Sequence, residues 1–189
     1  MNHGLWVRVG QAVIFAIALL SQALPAPAKE TFTATIVVAR GLSEPLKTPL
    51  SVTIDQYTTD AEARQVRQVL DKSGWDELVK ALRQTNKGSA RMKDGPTWPI
   101  NWARVFPGAT GSRRIMMFAA RPIPLPEEGA QAPSVDPAFG VIQLDLNAQG
   151  KGEGLLIGGA KIRVSKEGNL EIEANNTSPR RLIEVQLVP

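Results

Sequence analysis

The spacing of apolar residues changes period along this chain, and each change marks an element. Phe32, Ala34, Ile36 and Val38 share one parity, with Thr33, Thr35 and Val37 on the other. A two-residue period rich in β-branched side chains predicts a half-buried strand over 32–38. Leu50, Val52 and Ile54 against Ser51, Thr53 and Asp55 predict a second, after a connection over 41–49. The period then lengthens. Ala63, Val66, Val69 and Leu70 fall on one face of a helix that Asp60 can cap and that runs to about residue 72. Ser73-Gly74 breaks it, and Trp75, Leu78, Val79 and Leu82 then recur at i, i+3, i+4 and i+7 in a second helix ending near Gly88. The expectation is a helical hairpin over 60–87. Its polar face mixes Arg64, Arg67, Asp71, Asp76, Glu77, Lys80 and Arg83, unlike the one-signed face of a helix that reads DNA.

Strand-like patterns resume at 90–92, 100–106 and 114–120, divided by Gly95-Pro96, Pro107-Gly108 and Gly111. Residues 115–120 are apolar at both parities, as in a strand covered on both faces. Residues 121–138 hold five of the fourteen prolines and predict a Pro-rich loop, long enough to be a lid, a binding loop or a disordered excursion. Beyond it, 140–146, 155–165, 169–174 and 181–188 read as an antiparallel meander. If Lys166-Glu167-Gly168 is a three-residue turn, Ile162 faces Ile172 and Val164 faces Leu170, while Arg163 faces Glu171 and Lys161 faces Glu173. Both faces then agree on one register. The expected fold is mainly β (α+β): an antiparallel β-barrel or β-sandwich of about eight or nine strands, with one helical hairpin inserted after the second.

The first residues follow another logic. Arg8 precedes an apolar stretch over 9–20, and Ala26-Pro27-Ala28 is a small-x-small site before Lys29. That is the three-part pattern of a cleavable secretory signal peptide over 1–28. The run is shorter than the roughly 20 residues of a membrane span, and Pro25 and Pro27 oppose a helix there. The expectation is a single exported domain over 29–189, periplasmic or secreted, with no stable membrane insertion once the leader is removed.

Composition then removes chemistry. The chain has 189 residues, 22 Lys+Arg, 18 Asp+Glu, no cysteine and one histidine, His3, which leaves with the leader. Without imidazole or thiol the processed chain forms no Ser-His-Asp triad and no Cys-His pair, and lacks the usual ligands of catalytic zinc. No catalytic residue, cofactor or metal is assigned. A calcium loop starting at Asp145-Leu-Asn147 would need its bidentate acid at Leu156, so this segment reads as a hairpin turn. Gly150-Lys-Gly152-Glu-Gly154 has no following helix to present to a phosphate and reads as turn and bulge. Carboxylate chemistry survives, for which Asp55, Asp94, Asp136 and Asp145 are the acids to consider. The most unusual local feature is Trp98-Pro-Ile-Asn-Trp102, with Arg91, Lys93, Arg104 and Arg113-Arg114 nearby. Aromatics among arginines can hold an anionic or planar ligand. The plainer reading has Trp102 in the core and Trp98 bracing a loop. Pro122-Ile-Pro124-Leu-Pro126 reads as a surface connection, and Asn175-Asn176-Thr177-Ser178 contains overlapping glycosylation sequons.

Trp98-Pro-Ile-Asn-Trp-Ala-Arg104, Arg113-Arg-Ile115, Arg121-Pro-Ile123, Phe139-Gly-Val-Ile142, Gly152-Glu-Gly154, Ala160-Lys-Ile162 and Leu170-Glu-Ile-Glu173 together resemble a family of exported bacterial proteins of unknown function. Where that pattern often has Asp before the Arg-Pro-Ile segment, this chain has Ala120. The resemblance implies a bacterial envelope location and carries no catalytic residue. The expected function is non-enzymatic binding of a small or apolar ligand or an envelope component, without nucleic acid. The helical pair would cap a cavity lined by apolar strand faces, with Trp75, Leu78, Trp98, Trp102 and Arg104 as candidate contacts. The alternatives are a structural or interaction protein of the envelope and a carboxylate-dependent hydrolase acting on carbohydrate.

Overall fold

A computed structural model describes residues 29–40, 43–125, 139–164, 170–174 and 179–189. The segment over 1–28, the sequons and the larger part of the Pro-rich stretch lie outside them. Among the described residues there are ten strands, one α-helix and a single 3-10 turn, and the fold is mainly antiparallel β. The strands are β1 (Glu30–Arg40), β2 (Ser43–Ile54), β3 (Gly88–Met92), β4 (Thr97–Ile100), β5 (Trp102–Pro107), β6 (Arg113–Ala119), β7 (Phe139–Leu146), β8 (Lys151–Val164), β9 (Leu170–Ala174) and β10 (Arg180–Val188). The helix α1 (Asp60–Arg83) follows β2. The expected hairpin is found in register, with Ile162 opposite Ile172, Val164 opposite Leu170, Arg163 opposite Glu171 and Lys161 opposite Glu173. Strand β2 starts earlier than its pattern indicates, because Pro45 and Pro49 lie upstream of Leu50, where pairing with β3 begins. On that unpaired edge a missing N–H costs no ladder bond.

The strands follow the order β4-β3-β2-β1-β10-β8-β7-β6-β5, with β9 also on β8. The two ends of that path, β4 and β5, are consecutive in the chain and separated only by Asn101. The sheet therefore bends round to meet itself as a nearly closed barrel of eight staves, β4 and β5 being two halves of one. Asn101 is the hinge of that stave. Its N–H donates to the Phe118 carbonyl at 2.8 Å, while Lys87 N–H takes the Ile100 carbonyl at 2.7 Å. The break also reverses the side-chain parity. Trp98 and Ile100 belong to the inner core, Trp102 to the outer one, and Ala103 is inside again. Trp102 is therefore buried as the plainer reading has it, but in the core between wall and helix, while Trp98 fills the barrel interior rather than bracing a loop.

Inward residues form one core: Phe32, Ile36, Leu50, Ile54, Ile115, Met117, Ile142, Leu144, Leu156 and Leu182 are all buried there. A bulge in β10 at Glu184 (φ 55°) lets Leu182 and Val185, an odd number apart, both point inward. One end of the barrel is bridged by Glu30 and Arg113, 2.8 Å apart. They stand on β1 and β6, with three staves between them in either direction. Tyr57 donates its hydroxyl to the same carboxylate. Burial, and then that hydrogen bond, push the Tyr57 phenol well above its ordinary pKa.

The opposite end holds the start of the Pro-rich stretch, which corrects its reading as a surface connection. Ile123 and Leu125 are only 1% and 2% exposed and belong to the inner core. Ile123 N–H donates to the Gly158 carbonyl at 2.8 Å, and Gly140 N–H to the Arg121 carbonyl at 3.0 Å. A Cβ on Gly140 would lie 2.4 Å from Ile123 Cγ1, so glycine there is a condition of the plug entering the barrel.

Candidate functional site

Helix α1 is an arch with both feet on the bent β4–β5 stave. At the first foot Thr58 N–H donates to the Ala103 carbonyl at 2.6 Å, and Ala103 N–H returns to Thr58 Oγ1 at 3.0 Å. The helix cap is Thr59 rather than Asp60. Thr59 Oγ1 accepts from Glu62 N–H, and Glu62 Oε2 accepts from Thr59 N–H at 2.7 Å, a reciprocal capping box. Asp60 is freed to take Arg104 at 2.6 Å. The other Glu62 oxygen meets Lys87 Nζ at 2.7 Å, where the Lys87 side chain is 6% exposed and that of Glu62 42%. This lysine bond holds the Glu62 carboxyl below the usual carboxylate range.

At the second foot the helix ends with Arg83 rather than near Gly88, which opens β3. Thr85 and Asn101 fasten it reciprocally. Thr85 Oγ1 donates to the Asn101 carbonyl at 2.5 Å, and Asn101 Nδ2 to the Thr85 carbonyl at 2.8 Å. Asn101 Oδ1 accepts from Ala120 N–H at 2.7 Å. Arg83 Nε adds a bond to the Ala120 carbonyl at 3.2 Å.

Between the feet, Gly74 (φ 76°, ψ −167°) divides α1 into two arms, an angle pair that glycine alone adopts readily. The second arm is well seated. Leu78, Val79 and Leu82 are its buried residues and lie with Trp102, Phe118, Phe139 and Val141 on the outer wall. This explains why 115–120 are apolar at both parities: Ile115, Met117 and Ala119 face the barrel, while Met116, Phe118 and Ala120 face the helix. The first arm has no buried residue. Its Val66, Val69 and Leu70 are only partly covered.

Beneath it lies a cavity of about 540 Å³. Its floor is the cross-strand pair Trp102 and Phe118, stacked at 4.7 Å with 20° between rings. Leu78 and Leu82 form the back, Ala63, Val66 and Leu70 the roof, and Asp60, Arg64, Arg67, Arg104 and Phe106 the rim. That volume is within the range of small-molecule sites. Arg104 also lies over the Phe106 ring, 5.7 Å from its centre.

The expected contacts divide accordingly. Leu78, Trp102 and Arg104 come together in this cavity. Trp75 sits farther along the helix and packs against Phe139 at 5.8 Å, and Trp98 is inside the barrel. The hollow therefore lies outside the barrel wall, not within the strand faces. Phe118, Leu82, Arg64 and Arg67 were absent from the expected set. Phe118 was findable, since a strand apolar on both faces requires a cover, and the only long amphipathic segment had to supply it.

Of the acids considered for hydrolysis, Asp55 pairs with Lys29 at 3.1 Å and Asp145 with Arg114 at 2.5 Å. Asp94 is in the turn between β3 and β4, and Asp136 lies outside the described residues. Asn147 organises a hairpin turn, accepting from Gln149 and Lys151 N–H at 3.0 Å each. Gly152 and Gly154 fall within β8 rather than in a turn. Among the described residues no three His, Cys, Asp or Glu side chains gather as metal ligands, and no helix is long and apolar enough to cross a membrane. Comparison with protein families, with characterised proteins and with solved structures gives no match.

Proposed function

We propose that this chain is an exported β-domain that holds a small apolar ligand, without chemistry of its own, in the cavity beneath the first arm of α1. One observation carries the reading. Partly covered Val66 and Leu70 line a cavity of about 540 Å³ together with Trp102, Phe118, Leu78 and Leu82. Protein interiors are close-packed, and apolar surfaces held that far apart leave contacts for a ligand to make. Both feet of the arch are fastened close together at the bend of one stave, the first to Ala103 and the second to Asn101. The signal-like segment over 1–28 supports passage out of the cytoplasm, to the periplasm or beyond.

The test is a thermal shift with 1-decanol, a neutral single-chain probe. At a hundredfold excess over Kd, binding adds about 2.7 kcal/mol. For a domain of this size that raises Tm by roughly 5–11 °C. Ala63→Trp, which fills the roof, should remove the shift while leaving the far-UV spectrum unchanged. No shift in the parent, or the same shift in both proteins, refutes the site. Native mass spectrometry of material from its own host supports the reading if the chain begins at Lys29 and carries an apolar adduct. A chain retaining Met1, or carrying a stoichiometric protein partner at this cavity, counts against it.

A further inference from the structure

We infer that the first arm of α1 is a lid, hinged at Gly74 and latched at its Asp60 end, which lifts to admit the ligand; this rests on the cavity beneath it as the binding site. The roof of that cavity belongs to one arm alone. Ala63, Arg64, Val66, Arg67 and Leu70 line it from between Asp60 and Gly74, while the back and floor come from the second arm and the barrel wall. The two arms are held very differently. Leu78, Val79 and Leu82, all the buried residues of the helix, lie in the second arm, and Arg83 and Thr85 fasten its end to Ala120 and Asn101. The first arm buries none of its residues. Segments with few buried apolar contacts open at a lower free energy than the core they rest on.

The break between the arms is placed for such a motion. Gly74 is the one non-helical residue inside α1, and a Cβ there would meet nothing within 4 Å, so the joint stands in open space. At the far end two ion pairs tie the arm to the barrel, Asp60 to Arg104 at 2.6 Å and Glu62 to Lys87 at 2.7 Å. Asp60 and Arg104 both line the cavity, one from the helix and one from β5, so their bond joins the two lips of its rim. From Asp60 to Ser73 the arm is about 21 Å long, and a turn of about 15° at Gly74 raises its far end by about 5 Å, enough to part both pairs. Thr58, two residues before Asp60 and bonded to Ala103, stays behind as a tether with a reach of about 7 Å. The Thr59–Glu62 capping box lies within the moving part and survives the swing.

Amide hydrogen exchange tests the hinge without any ligand. Residues 64–73 should exchange as one block, at least about tenfold faster than 79–83. Rates that fall steadily from 64 to 73 indicate fraying of a helix end, and equal rates in both arms indicate that α1 opens as one unit; either result overturns the lid. Because the chain has no cysteine, Asp60→Cys and Arg104→Cys joined by a short reducible bis-thiosulfonate linker form a clean lock. Locking should remove the difference in exchange and slow the entry of 1-decanol, followed by stopped-flow tryptophan fluorescence, at least about tenfold. Reducing the linker should restore both. Entry at one rate in the locked and reduced protein overturns the lid and leaves the site standing. Failure of the parent chain to bind 1-decanol removes the site itself, and the inference with it.

Discussion

Replacing Asn101 by Ala tests the central claim about how this sheet closes. The side chain makes two bonds across the seam, accepting from Ala120 N–H at 2.7 Å and donating to the Thr85 carbonyl at 2.8 Å. Alanine keeps the backbone bond to Phe118 but orphans both of these partners. A buried group left without its hydrogen bond costs about 1–3 kcal/mol. Ala120 N–H is fully buried and lies toward the upper end of that range, whereas the Thr85 carbonyl is only part-buried and water can reach it. The sum is about 2–4 kcal/mol. At roughly 2–4 °C per kcal/mol for a domain of this size, Tm should fall by about 4–16 °C. Urea unfolding should show the same loss at unchanged m-value, and hydrogen exchange at the Ala120 amide should accelerate. Asn101→Asp is the informative companion, because it keeps the acceptor for Ala120 while setting a carboxylate against the Thr85 carbonyl. A loss below about 0.5 kcal/mol for Asn101→Ala, with Ala120 still protected, would show that the seam does not depend on this side chain.

Two further perturbations examine other parts of the fold. Glu62→Gln leaves the buried Lys87 ammonium without its counter-charge and should cost about 1–3 kcal/mol, whereas Lys87→Met removes the charge, keeps the stem and should be nearly neutral. Since the Glu62 pKa is lowered on folding, its contribution is present above the ordinary value near 4.3 and is lost as pH falls through the folded value. In urea titrations the gap between the parent and Glu62→Gln should therefore be full at pH 7 and close below about pH 4; a gap that widens in acid contradicts the assignment. Ile123→Ala should cost about 2–5 kcal/mol as a core truncation, read from the urea midpoint. A change under 0.5 kcal/mol would return Ile123 to an exposed loop.

Most strands were legible because a two-residue period with one buried face leaves little choice, although the early start of β2 and the division of β4 from β5 were not; the 162–172 pairing was legible to the residue because both faces agreed. What the period could not convey were three local exceptions. Asn101 is a single polar residue in an apolar run, and nothing in the spacing says that it bends a stave and switches Trp102 to the outside. The Pro122-Ile-Pro124-Leu sequence has the composition of a surface connection, and only the close approach to Gly140 and Gly158 reveals a plug. Thr59 took the cap from Asp60 because the Thr-x-x-Glu spacing satisfies two helix donors at once. The cavity was half legible for the same reason. Leu78, Trp102 and Arg104 line one cavity, outside the wall rather than inside it, and Trp98 and Trp102 could share a face only if the strand between them were regular.

The pairing of β1 with β10 sets Thr31 opposite Val188, joining the beginning and the end of the described chain in one ladder. A polypeptide delivered residue by residue, whether from a ribosome or through a pore, cannot finish this sheet until its final strand is free. Until then β1 and β8 each have a bare edge, and the Glu30–Arg113 bridge has no completed rim to span. Contacts this distant in sequence slow folding. The barrel therefore closes late, when β10 pairs with β1 on one side and β8 on the other.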